Sequence, residues 1–183
     1  MKIIYFLISL AFLTLQLTAQ KVYTKNGNIS FFSKTSLENI SADNNQVTAI
    51  LNQQTGELQF SVLIKAFHFK KALMEEHFNE NYMESDKYPK AIFKGTIADM
   101  SKVNFAKDGS YPVSVTGDLS IHGVSNKVTV PGSITVKSGI PSSTSSFSIR
   151  PADYRISIPK LVKDNIAETI NITVNCNYSQ KIQ

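Results

Sequence analysis

The side chains able to do chemistry are few and scattered. Three histidines occur, His68, His77 and His122, together with one cysteine, Cys176. His68 and His77 are too far apart for the His-x-x-x-His spacing that sets two imidazoles on one helical face. No His-Glu-x-x-His, no Gly-x-Ser-x-Gly and no phosphate-binding glycine loop is present. Glu75-Glu76-His77 has the groups for part of a metal site, but such a run reads more simply as a solvated helix face. Cys176 falls on the apolar side of an alternating segment, where a thiol acts as a small buried hydrophobe rather than a nucleophile. A lone cysteine also excludes an intrachain disulfide and any multi-cysteine zinc or iron–sulfur centre. The expectation is therefore a protein that is not an enzyme, with no catalytic residue, no metal and no cofactor. The catalytic route left open is a site assembled in space from His122 and carboxylates at a pocket mouth.

Charge points the same way. The formal charge is +5, from 19 Lys plus Arg against 14 Asp plus Glu. Only Arg150 and Arg155 are arginines, and the lysines are spread along the chain without interleaved aromatics. Arginine is the residue preferred for bidentate phosphate contact, so a nucleic-acid partner is not expected and a mildly basic solvated surface is.

The elements that must position these residues are strands. Leu58, Phe60, Val62 and Ile64 alternate with polar residues over Glu57 to Lys65, and Val113, Val115, Gly117, Leu119 and Ile121 do so over Tyr111 to His122. Val128, Val130, Gly132, Ile134 and Val136 continue the pattern, as do Ile170, Ile172, Val174, Cys176 and Tyr178. Period-two alternation marks strands with one dry and one wet face, an arrangement of antiparallel sheets. Further strands are expected at Ile29 to Thr35, Val47 to Asn52, Ala91 to Ala98, Ser145 to Arg150 and Arg155 to Ile158. Eight or nine strands are enough to close a barrel. Gly117 and Gly132 on dry faces leave space or allow a bend, and Pro131 on a wet face suggests an edge or bulge. Lys137 to Thr144 reads as an exposed loop.

One stretch breaks the alternation. Phe69, Leu73, Met74, Phe78 and Tyr82 recur at three- and four-residue spacings within 68–86, which predicts one amphipathic helix packed at an end or side of the sheet. At the N-terminus, Met1-Lys2 precede an apolar run through Leu13 and a polar exit ending Thr18-Ala19-Gln20, the pattern of a secretory signal peptide over 1–19. The run is shorter than the roughly 20 apolar residues that span a bilayer. No cysteine follows the expected cut, so a periplasmic or secreted protein is expected rather than a lipoprotein, with residues 20–183 as its single domain.

Two segments resemble the signatures of the YceI-like family of lipid-binding proteins. Tyr88-Pro89-Lys90-Ala91-Ile92-Phe93 is similar to its "yP-x-i-x-F" element, and Val115 to Val128, with Gly117-Asp118-Leu119-Ser120-Ile121-His122-Gly123-Val124-Ser125, to its "v-x-G-x-L-T-I-x-G-V-T" element. Glu76 to Ser85 and Asp153 to Ile158 match further family segments in the same order. Phe69-Lys70-Lys71 stands where many members have an Arg-Asp pair, and the His-containing opening of many members is missing. The resemblance implies an all-β, antiparallel, eight-stranded lipocalin-like barrel whose interior in some members holds a polyisoprenoid chain.

That implication names a partner, an isoprenoid or other long-chain lipid, and a lining. The expected lining is Phe60, Val62, Ile64, Phe93, Val115, Gly117, Leu119, Ile121, Val130, Ile134, Phe147, Ile170, Ile172 and Val174. Burial of a CH₂ group yields about 0.8 kcal/mol relative to water. Relative to a bilayer the transfer is nearly neutral, so exchange through transient membrane contact is expected. The alternative is a filled barrel acting as a structural or protein-interaction module, which predicts no cavity.

Overall fold

The computed structural model describes residues 21–181; the leader expected at 1–19 lies outside the described residues. Ten antiparallel strands follow in chain order: β1 (Lys21–Lys34), β2 (Asn39–Asn52), β3 (Glu57–Leu63), β4 (His68–Phe69), β5 (Lys90–Ile97), β6 (Gly109–Ile121), β7 (Val124–Lys137), β8 (Ile140–Ile149), β9 (Ile170–Asn177) and β10 (Gln180–Lys181). Strand β1 pairs with both β2 and β9, which closes the sheet in the order β1-β2-β3-β5-β6-β7-β8-β9. The result is the closed eight-stranded antiparallel barrel that the sequence predicts, with the two-residue strands β4 and β10 added at its edges.

Dry faces became the interior. In β6, Val115, Leu119 and Ile121 are buried while Ser114 and Asp118 are exposed. Strands β1 and β2 run well beyond the expected Ile29 to Thr35 and Val47 to Asn52, because register shifts between Thr24 and Ile29 break the alternation that would have revealed them. Strand β8 also starts earlier than expected. The expected loop at Lys137 to Thr144 is only a two-residue hairpin turn, Ser138-Gly139, with φ of 51° and 74°. Two positive φ values make this a primed turn, whose twist matches the strands it joins. The strand expected at Arg155 to Ile158 does not form. Pro151–Tyr154 make a 3₁₀ turn and Arg155 is left-handed, with φ 56°, so the chain leaves the sheet here.

The two ends of the barrel differ. One carries the β2–β3, β7–β8 and β5–β6 connections, and its interior is packed solid by Val22, Val47, Ala49, Leu51, Ile97, Val136 and Tyr178, none more than 3% exposed. The other carries the β1–β2 turn, the helical segment after β3, the β6–β7 turn and the strap 150–169 between β8 and β9.

The helix is shorter than the expected 68–86. It comprises α1 (Ala72–His77) and one π-helical turn (Phe78–Tyr82). His68 and Phe69 are drawn instead into pairing with Asp43 and Ala42 of β2. A helix this short does not hold itself together, so packing must supply its stability. Phe78 does so, with ring centroids 5.5 Å from Phe31, 5.6 Å from Phe67 and 5.1 Å from Phe69. Leu73, expected in the buried stripe, points outward and is 61% exposed.

Candidate functional site

The half of the barrel beneath the helix is hollow. A cavity of about 370 Å³ lies there, bordered almost wholly by apolar side chains from the strands, the helical segment and the strap. That volume lies within the range of ligand pockets, roughly 300–1,000 Å³. A filled barrel is not what this chain forms: the packing is complete at one end and stops short at the other.

Thirteen of the fourteen expected lining residues border the cavity: Phe60, Val62, Ile64, Phe93, Val115, Leu119, Ile121, Val130, Ile134, Phe147, Ile170, Ile172 and Val174. Ile64 does so from a 3₁₀ turn, Ile64–Ala66, rather than from the strand predicted for it. Gly117 is the exception. It faces its ladder partner Gly95, and a methyl group there would collide with the Lys94 carbonyl oxygen and the Gly95 Cα. Its role is the close approach of β5 and β6, not a place in the cavity wall.

Sequence reasoning missed the contribution of the end segments. Met74, Phe78, Tyr82 and Met83 cover one side of the hollow end, and Ile156, Ile158, Val162 and Ile166 cover the other. The alternation of Ile156 and Ile158 predicts a strand, whereas the chain here forms the strap, and with Val162 and Ile166 these side chains border the cavity. The cavity also reaches the wall between β7 and β8. Their ladder runs from Lys137↔Ile140 only to Gly132↔Ser145, although both strands continue beyond it. Pro131, exposed and lacking an N–H, marks where the ladder stops and borders the cavity, in keeping with the edge expected there.

Polar groups near the hollow end are used in structure. Glu38, at the end of the β1–β2 turn, accepts hydrogen bonds at 3.2 Å from both Lys71 Nζ and Asn165 Nδ2. It thus ties the residue preceding α1 to the strap. The Asn165 hydrogen bond, then Lys71, hold its carboxyl below the ordinary carboxylate range. Glu75 accepts the backbone N–H of Phe69 at 3.1 Å with His68 beside it at 3.6 Å, while Glu76 is exposed. His77 borders the cavity. Among the described residues no three His, Cys, Asp or Glu side chains converge on a metal position.

His122 lies in the β6–β7 turn and does not border the cavity. Its Nε2 is 2.7 Å from Glu84 Oε2 and its Nδ1 is 3.2 Å from the Tyr154 carbonyl oxygen. Tyr88 stands edge-on to its ring at 4.5 Å. Both ring nitrogens are engaged, so the imidazole has no free position from which to move a substrate proton; it fastens the helical segment and the strap to the barrel. Burial pushes the Cys176 thiol up to about 12, which keeps it protonated and a poor nucleophile.

The comparisons agree with this geometry. The family model described as a YceI-like domain matches residues 18–178. No curated protein matches the sequence. Among solved structures, a polyisoprenoid binding domain from Saccharophagus degradans, implicated in plant cell wall breakdown, aligns with a TM-score of 0.77 at 14% identity, covering 90% of this chain and 99% of that one. Burkholderia cenocepacia BcnA aligns with a TM-score of 0.68 at 16% identity, over 81% of this chain and 94% of its own. A YCEI protein from Campylobacter jejuni aligns with a TM-score of 0.50 at 15% identity, over 98% and 92%. At such identities the likeness is one of fold.

Proposed function

The chain belongs to the YceI-like family, and from that premise we propose that it is an exported, non-enzymatic binding protein that sequesters or carries an isoprenoid or other long-chain lipid in its barrel. The observation that carries this reading is the apolar cavity of about 370 Å³. Its wall offers contacts between hydrocarbon surfaces and few hydrogen bonds, so it selects for an unbranched or methyl-branched chain and against polar ligands. Water gains nothing by entering such a space.

The energetics suit a carrier. Each buried CH₂ is worth about 0.8 kcal/mol against water but close to nothing against a bilayer interior. A lipid tail then moves between membrane and protein with little net change, and the protein holds it against escape into water. The YceI-like match, the polyisoprenoid binding of the Saccharophagus domain and the leader-like residues 1–19 support the reading. The thirteen cavity-bordering residues, with Met74, Phe78 and Ile156 at the hollow end, would contact the chain.

Native mass spectrometry of protein purified without detergent, followed by solvent extraction, tests it. The expected result is a bound species that extraction identifies as a long-chain lipid. Protein that carries no lipid and takes up none when offered polyprenols or fatty acids would overturn the reading. N-terminal sequencing of protein from the periplasmic fraction checks export, with a start at Gln20 expected.

A further inference from the structure

Large apolar side chains exposed to solvent are unevenly placed. Phe32, Leu37, Leu63, Leu73, Ile92 and Leu161 lie at or beside the hollow end, whereas Ile140 alone stands at the packed end among the described residues. The most exposed are Leu37 at 67%, Leu73 at 61% and Leu161 at 97%. They belong to separate elements: the β1–β2 turn, α1 and the 3₁₀ segment Lys160–Asn165 of the strap.

These elements are joined. Glu38 hydrogen-bonds Lys71 and Asn165, so the carboxylate next to Leu37 anchors the segments bearing Leu73 and Leu161. Each leucine is followed in the chain by a residue that borders the cavity: Glu38 after Leu37, Met74 after Leu73 and Val162 after Leu161. At Leu73-Met74 and Leu161-Val162 the first side chain is exposed and the second borders the cavity, while Glu38 bonds across the rim.

We propose that this rim is a membrane-docking face, on which Leu37, Leu73 and Leu161 insert into the interfacial layer of a bilayer so that the cavity mouth meets the acyl region. The proposal rests on the lipid-carrier reading and adds where and how the exchange takes place. Proximity to the cavity favours a bilayer over a protein partner: Leu73 and Leu161 each adjoin an apolar residue that borders the cavity, Met74 and Val162, and the Glu38–Lys71–Asn165 hydrogen bonds tie the leucine-bearing segments together between them. Charge is permissive. Lys34, Lys70, Lys90, Arg155 and Lys160 make no ion pair among the described residues and outnumber the unpaired Asp43, Glu76, Glu80 and Asp164 at this end by five to four. Exposed apolar side chains flanked by lysines are the usual chemistry of interfacial binding.

The chain has no tryptophan, which makes the test direct. Leu37→Trp, Leu73→Trp and Leu161→Trp each create a single reporter at an exposed position, and Ile140→Trp creates one at the packed end. Vesicles of phosphatidylcholine and phosphatidylglycerol in equal parts should shift the emission of the three rim reporters to the blue and leave Ile140→Trp unmoved. Replacing Leu161 by Ser in the natural sequence should weaken vesicle co-sedimentation about tenfold. Equal shifts at both ends, or none, would overturn the proposal. So would a blue shift that grows with protein concentration in the absence of vesicles, since the face would then bind a second copy. The readout needs no resident lipid, so docking and cargo fail separately.

Discussion

Glu38 is the residue on which the most geometry converges. Its carboxyl is held low chiefly by the Asn165 hydrogen bond and then by Lys71. A carboxylate depressed in the native state adds stability at pH values above its unfolded pKa, and that contribution is lost as the pH falls through the native value. The rim should therefore loosen on acidification below the ordinary carboxylate range, while neutral and mildly alkaline conditions leave it intact. Asn165→Ala removes the larger cause and should raise the Glu38 titration toward its ordinary value, as followed by carboxyl chemical shifts. A Glu38 titration unchanged in that variant would contradict the assignment. None of this was legible in the sequence. Glu38 and Asn165 are separated by 127 positions, and neither has a type or spacing that announces a pair.

At the scale of elements, the helical segment is decided by aromatic packing rather than by helix propensity. The three- and four-residue spacing of Phe69, Leu73, Met74, Phe78 and Tyr82 was correct in announcing a helix and wrong about its length. Pairing with β2 competes for its first residues, and the ladder wins at His68 and Phe69 because backbone hydrogen bonds there join an existing sheet. Phe78 holds the rest in place among Phe31, Phe67 and Phe69. Phe78→Ala should destabilise the protein by about 3 kcal/mol, the lower end for such truncations because the ring is only half-buried. Urea denaturation checks the value. In the same variant, amides of α1 should lose exchange protection before those of the barrel strands, since the helix is the element that the ring secures.

For the whole molecule, the division into a packed end and a hollow end is the main result. Val22, Val47, Ala49, Leu51, Ile97, Val136 and Tyr178 leave no space between them at the packed end, whereas Phe60, Phe93, Phe147 and Ile172 border an open interior at the other. Val130 points into that interior from the stretch of β7 that β8 does not pair, so a larger residue there has room. Val130→Phe should fill part of the cavity and lower the amount of lipid recovered by extraction several-fold, while thermal unfolding moves little. A large loss of stability instead would mean that the interior is already packed at that point.

The strand alternation, the family signatures around Phe93 and Gly117, and the cavity-facing residues of the central strands, such as Phe60, Leu119 and Ile172, follow from the sequence alone. They do so because a half-buried strand must repeat every second residue, whatever its neighbours are. Tertiary structure decided the rest: where the interior stops being filled, that the strap at Ile156 to Ile166 closes the hollow end rather than adding a strand, and that Gly117 serves strand contact instead of the cavity. These depend on how far residues distant in sequence approach one another. Local periodicity carries no measure of that distance.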